Sequence, residues 1–139
     1  MPQPSFLAAS LYVACGGAFG SWLRFLVSRG WSAALGTVRA GAFPYGTLTV
    51  NILGSLAMGL LAGALAGFGQ GNGLHGEATR LLLAVGVLGG FTTFSSFSLD
   101  TVALIERGDI GTAALYCGLS LAAGFASLFI GLIMMRSVA

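Results

Sequence analysis

The charged residues of this chain fall in four short zones, leaving uncharged stretches at residues 5–23, 40–76, 81–99 and 110–135. A helix rises about 1.5 Å per residue and a hydrocarbon core is about 30 Å thick, so about 20 apolar helical residues cross it. Each stretch meets that length, and four of them leave room only for short connections in 139 residues. The expected fold is all-α and integral to a membrane: one four-helix domain covering residues 1–139, with spans near 6–27, 47–68, 79–103 and 110–135. Composition agrees, because 56% apolar against 7% charged residues suits lipid as the solvent rather than water around a small core.

The residues before the first span carry no Lys or Arg, and that span runs into Arg24 rather than a cleavage site, so it reads as a retained helix and not a signal peptide. Cys15 and Cys117 lie inside predicted spans, where a thiol behaves as a small apolar residue, and they point to neither a disulfide nor a metal. With no Lys anywhere, there is no phosphate-loop lysine, no lysine nucleophile and no basic nucleic-acid patch. Four spans put Arg24, Arg29, Arg39 and Arg107 on one side and Arg80 and Arg136 on the other. That margin narrows if Arg24 sits within the membrane, and it fits weak orientation or insertion both ways.

Within the first span, Gly16 and Gly20 stand at the spacing that lets another backbone approach closely. Residues 28–45 mix two arginines, Pro44, Trp31 and Tyr45, as expected of an interfacial loop. The second span sets Thr47, Asn51, Ser55, Gly59, Gly63 and Gly67 on one helical stripe, polar above and a packing seam below. A glycine-rich loop is expected over residues 69–76, ahead of Glu77 at the next helix start.

Residues 89–98 read GGFTTFSSFS. Paired Gly, paired β-branched Thr and three Ser all lower helical propensity, so the third helix is expected to break there. Broken backbone at bilayer depth persists only inside protein or beside a polar cavity, which makes the break a functional signal. The polar groups expected inside the bundle are Asn51, Thr92, Thr93, Ser95, Ser96, Tyr116 and Ser120, with no carboxylate central to any span. Donors without carboxylates favour an anion or a neutral solute over a cation or a proton relay. Phe91, Phe94 and Phe97 recur every third residue, and ring edges carry positive potential. A Phe stripe in a membrane helix is normally packing; the interleaved hydroxyls here add the alternative of an anion path.

These segments carry a family resemblance. GGFTTFSSFS at 89–98, GTLTVNILG at 46–54 and GGAFGSWLRF at 16–25 together resemble the Fluc/CrcB fluoride channels, in family order and over essentially the whole chain. The resemblance implies a fluoride-selective passive channel exporting cytoplasmic fluoride, and no enzyme. Its implied form is an antiparallel, dual-topology homodimer with two pores, in the lipid bilayer of the cell inner membrane as a multi-pass protein. It places Asn51, Phe94 and Phe97 on the fluoride pathway and likens Thr92, Thr93, Ser95, Ser96, Tyr116 and Ser120 to a polar track, leaving open which hydroxyl faces the ion. Arg24 matches a vestibule arginine, with snorkelling to the interface as the alternative. Tyr116 has the alternative of an interfacial anchor. Gly124 departs from relatives that carry a hydroxyl there. A structural Na+ is implied on the dimer axis, held by the backbone carbonyls of Gly89 and Thr92. Asp100 is expected to meet water at the end of helix three or to face Arg24.

A small dual-topology proton-coupled cation exporter would share the size and span count. Such an exporter needs a membrane-embedded carboxylate to exchange protons for cargo, and residues 5–23 contain none.

Overall fold

The computed structural model describes residues 4–68 and 73–138, and within them every regular element is helical. In chain order these are α1 (Phe6–Ala42), α2 (Tyr45–Phe68), α3 (Gly73–Thr79), a π-helical segment (Arg80–Leu88), α4 (Gly89–Phe91), α5 (Phe94–Glu106) and α6 (Ile110–Arg136). Four helical runs are long and apolar enough to cross a membrane: α1, α2, the composite third run from Gly76 to Glu106, and α6. Of the glycine-rich loop expected at 69–76, residues 69–72 lie outside the described residues and Gly73 already starts α3.

The first helix corrects the sequence reading. It does not stop near Val27 but continues until Gly36, whose φ of 76° breaks the run before a last short piece ends at Ala42. The expected interfacial loop over 28–45 is therefore mostly helix. Trp31 faces the bundle: its Nε1 donates to Thr49 Oγ1 at 3.0 Å, and its ring stacks on Tyr45 at 5.1 Å. The Trp31 indole, bonded to Thr49 of α2, ties α1 to the bundle beyond the point where its apolar run ends.

Glycine contacts set the helix spacing. At Gly16, a Cβ would overlap the carbonyl of Leu82 and come within 2.9 Å of Gly86 Cα; at Gly20 it would overlap the Val87 carbonyl. These positions press α1 onto the π segment, the wide turn of which carries Gly86 to the contact. A second seam joins α2 to α6, the most extensive packing in the chain. There a Cβ on Gly131 would sit 2.5 Å from the Leu56 carbonyl, and one on Gly63 2.6 Å from Met135 Cβ. Without water to drive association, such close van der Waals approach is what holds membrane helices together.

Apart from glycines at the helix seams, few described residues are fully buried. Val50 is one; Leu104, Ala113 and Tyr116 form a small cluster, with Phe43, Leu48 and Phe97 packed around them. Large apolar side chains such as Phe25, Phe94, Phe125 and Phe129 point outward instead, as expected where lipid or another chain covers the surface. Glu77 pairs with Arg80 at 2.7 Å on the exposed end of the third run, a surface pair of small energetic weight.

Candidate functional site

The third run opens at two residues, Thr92 and Thr93, whose backbones are extended (φ −81°, ψ 159° and φ −155°, ψ 123°). The expected break over 89–98 is thus narrower than its composition suggests, since Gly89–Phe91 and Phe94–Ser98 remain helical. Opening two residues leaves few backbone groups to satisfy, and the N–H groups of Thr93 and Ser96 and the Thr93 carbonyl are met locally. Thr93 N–H donates to Asn51 Oδ1 at 2.9 Å, and Asn51 Nδ2 donates back to Thr93 O at 3.2 Å. Thr92 Oγ1 donates to Leu88 O at 2.9 Å, closing the end of α4. Thr93 Oγ1 accepts from Ser96 N at 3.1 Å and so caps α5. Ser95 and Ser96 hydroxyls gather on the same Thr93 oxygen, at 3.1 and 3.3 Å.

Opposite the break, α2 offers no side chain at Gly54, where a Cβ would overlap the Thr92 methyl and meet Phe91 Cδ1 at 3.3 Å. The close passage creates a groove of about 320 Å³ between α2, the break and α6. Asn51, Ser55, Thr93, Phe94, Phe97 and Ser120 line it, along with apolar groups from Met58, Leu121 and Leu128. No lining side chain is charged. Phe94 stands 79% exposed at the rim, its ring 5.8 Å from that of Phe97. Ser120 Oγ is buried with no hydrogen-bond partner among the described residues.

Beneath Phe97 lies Tyr116, fully buried, the ring 5.3 Å from Phe97 and edge-on to Phe43 at 5.7 Å. Its hydroxyl reaches Asp100 Oδ2 at 3.4 Å, and Thr47 Oγ1 donates to the same oxygen at 2.6 Å. Asp100 is therefore held by two hydroxyls across the α2–α5–α6 junction, where the sequence suggested water or Arg24. It also borders a second cavity of about 410 Å³ with Arg107, whose guanidinium donates to the Gly41 carbonyl at 2.9 Å.

The structure thus gathers Asn51, Thr92, Thr93, Phe94, Phe97 and Ser120 at one groove. Ser95 is exposed beside it, Ser96 turns to the α5 cap, and Tyr116 supports the groove from below. Arg24 lies elsewhere, half-buried on α1. Ser55 was missed as a site residue, although its place one turn beyond Asn51 on the polar stripe was a readable signal. Thr47 at the top of that stripe likewise signalled the partner of Asp100.

Chemically, the break divides the third run into a carbonyl end and an amide end. The N–H groups of Thr93 and Ser96, which would otherwise bond to the carbonyls of Gly89 and Thr92, go to Asn51 and to Thr93 Oγ1. Those carbonyls lose these helical donors, and Gly89 is exposed on the single chain. The N-terminus of α5, meanwhile, directs positive potential to the groove at Thr93 and Phe94.

The CrcB-like protein, Camphor Resistance (CrcB) family model matches residues 11–132. A fluoride-specific ion channel FluC from Novosphingobium aromaticivorans is 52% identical over 136 residues, covering 96% of this chain and 100% of the relative. The protein of the same name from Erythrobacter litoralis is 45% identical over 130 residues, covering 94% and 93%. Its counterpart from Rhodospirillum centenum is 48% identical over 127 residues, covering 91% and 94%.

Proposed function

Since this chain belongs to the CrcB family, we propose that it is a fluoride-selective passive channel, a transporter rather than an enzyme, which lets cytoplasmic fluoride leave the cell. The observation that carries this reading is the groove at the break, where polar donors and two phenylalanines meet without a lining carboxylate. Fluoride is small and strongly hydrated, so a selective path must replace its water with close donors. Asn51 has a second amide N–H beyond the one given to Thr93, Ser120 has a hydroxyl without a partner among the described residues, and Phe94 and Phe97 line the groove with aromatic rings, whose edges carry positive potential. The positive end of α5 adds a fixed field of the right sign. Chloride, being larger, gains less from donors held this close.

The working unit in this reading is an antiparallel, dual-topology homodimer in the cell inner membrane, with two pores. The outward-facing Phe94 and exposed Gly89 support it, because a second copy would cover them and close the groove into a path. Four arginines on one side against two on the other suit insertion in both orientations. A structural Na+ on the dimer axis fits the carbonyls of Gly89 and Thr92, which the break releases from helical hydrogen bonds. Its charge would tie two broken helices together and favour a nearby anion. Arg24 is assigned to the vestibule as a basic group that draws anions inward.

The test is efflux from liposomes holding the purified protein, comparing fluoride with chloride under the same electrical shunt. Rapid fluoride release with little chloride is the expected result. Release of neither anion above protein-free liposomes, from intact protein, would refute the reading.

A further inference from the structure

Hydroxyls in apolar helices normally donate to the carbonyl one turn back, and this chain follows that habit widely. Ser10, Ser32, Ser98 and Thr101 each do so, at 2.8, 3.1, 3.0 and 2.8 Å. Ser55 on α2 and Ser120 on α6 make no such bond, nor any other hydrogen bond to a described residue. Both line the same groove as Phe94 and Phe97, one from α2 and one from α6. An unpaired hydroxyl away from water carries a desolvation cost, so the buried Ser120 Oγ implies a guest that accepts hydrogen bonds, and the half-buried Ser55 lines the same groove.

The α6 wall explains why Ser55 matters in this chain. One turn beyond Ser120 stands Gly124, which offers no side chain; a Cβ there would lie 3.7 Å from Ser55 Oγ, at ordinary contact distance. The space next to Ser55 on α6 is therefore open, and Ser55 is the hydroxyl that reaches it. Asn51 lies one turn from Ser55 along α2, so its amide and the two hydroxyls form a continuous line of donors past the break.

Resting on the channel reading above, we propose that Ser55 is a direct fluoride contact which, paired across the groove with Ser120, carries the anion beyond the phenylalanines. No charge change or bond breaking is involved: the anion exchanges one set of donors for the next. Each hydroxyl gives its proton to the anion in a hydrogen bond and keeps it covalently.

The experiment compares fluoride efflux from liposomes for wild type, Ser55→Ala, Ser120→Ala and the double variant Ser55→Ala/Gly124→Ser, each checked as a dimer by size exclusion. A hydrogen bond to an anion is lost in Ser55→Ala, and efflux should fall about tenfold. The Ser introduced at position 124 enters the same space from α6, so the double variant should recover most of the wild-type rate. Wild-type efflux from Ser55→Ala overturns the proposal. So does a loss that Ser at 124 fails to restore, because it assigns Ser55 to packing. If wild type itself carries no fluoride, the failure belongs to the channel reading, not to Ser55.

Discussion

Asn51 grips the backbone of Thr93 from both sides, accepting its N–H at 2.9 Å and donating to its carbonyl at 3.2 Å. A single side-chain amide therefore satisfies the one residue of the third run that neither α4 nor α5 can serve. Asn is suited to this because it carries donor and acceptor side by side. The same residue lines the groove, so in the proposed channel stability and transport would be joined at one position.

Replacing Asn51 should separate these effects poorly, which is itself a test. Asn51→Ala leaves the Thr93 N–H and carbonyl unpaired at a cost of about 1–3 kcal/mol each, and fluoride efflux should be abolished with a lowered Tm. Asn51→Asp keeps the acceptor but sets a carboxylate against the Thr93 carbonyl, and should be at least as harmful. Thermal unfolding in detergent beside liposome efflux checks both; an Asn51→Asp protein with wild-type Tm would refute the bracket.

Phe94 and Phe97 should part company. Phe94 is 79% exposed on the single chain and touches chiefly Phe97, so Phe94→Ile should leave the fold of each chain intact while slowing fluoride efflux at least about tenfold. Phe97 also roofs Tyr116 at 5.3 Å, and Phe97→Ile should lower the Tm as well as the rate. Equal Tm losses for both would contradict the assignment of Phe94 to the path.

The sequence showed these features unevenly, for physical reasons. Four spans were legible because charge is excluded from lipid, and the break because Gly, Thr and Ser cluster at one place. Its extent was not legible: propensity marks all of residues 89–98 as weak, yet only Thr92 and Thr93 open, because every further open residue needs a partner like Asn51. The length of α1 was hidden for a related reason, since the Trp31 bond to Thr49 is a tertiary contact that no local pattern contains. Wide helical turns at Arg80–Leu88, which bring Gly86 against Gly16, likewise come from packing and not from propensity. In sequence Tyr116 reads as part of the polar track, with an interfacial anchor as the alternative; its full burial beneath Phe97 is a tertiary feature that no local pattern contains.

Tyr116 should act through shape more than through its hydroxyl. At 3.4 Å its bond to Asp100 is long, whereas Thr47 holds the same oxygen at 2.6 Å. Tyr116→Phe should therefore cost no more than about 1 kcal/mol, while Tyr116→Ala empties a fully buried site and should cost about 3–5 kcal/mol. Thr47→Val, which takes the shorter bond from Asp100, should destabilise more than Tyr116→Phe. Unfolding midpoints of the three variants give the order directly.

Glycines divide sharply by what surrounds them. At Gly30 a Cβ would meet nothing within 4 Å, and the residue sits in a helix, so Gly30→Ala should be neutral or stabilising by about 0.5–1 kcal/mol. At Gly20 the same methyl would overlap the Val87 carbonyl and lie 2.8 Å from Phe91 N, both backbone groups that cannot swing aside. Gly20→Ala should push α1 off the π segment, disturb the break that begins just beyond Phe91, and reduce both the folded yield and fluoride efflux. Tolerance of Ala at both positions would mean that the α1 seam is looser than described.

The proposed cation can be tested without any substitution. The carbonyls of Gly89 and Thr92 are turned from helical partners by the bonds that Asn51 and Thr93 make, and bare carbonyl oxygens select small hard cations by direct coordination. A bulky organic cation such as N-methylglucamine cannot enter such a ring. Replacing Na+ with it throughout purification and reconstitution should therefore weaken the dimer, since whatever binds the native assembly alone stabilises it by mass action. The dimer should dissociate at a lower temperature, fluoride efflux should drop severalfold, and both should return when Na+ is restored. Because the cation is placed between two copies, the loss should appear in dimer dissociation before it appears in the helicity of each chain. Identical melting and efflux in the two salts would remove Na+ from the assembly and leave the freed carbonyls to be satisfied within the protein.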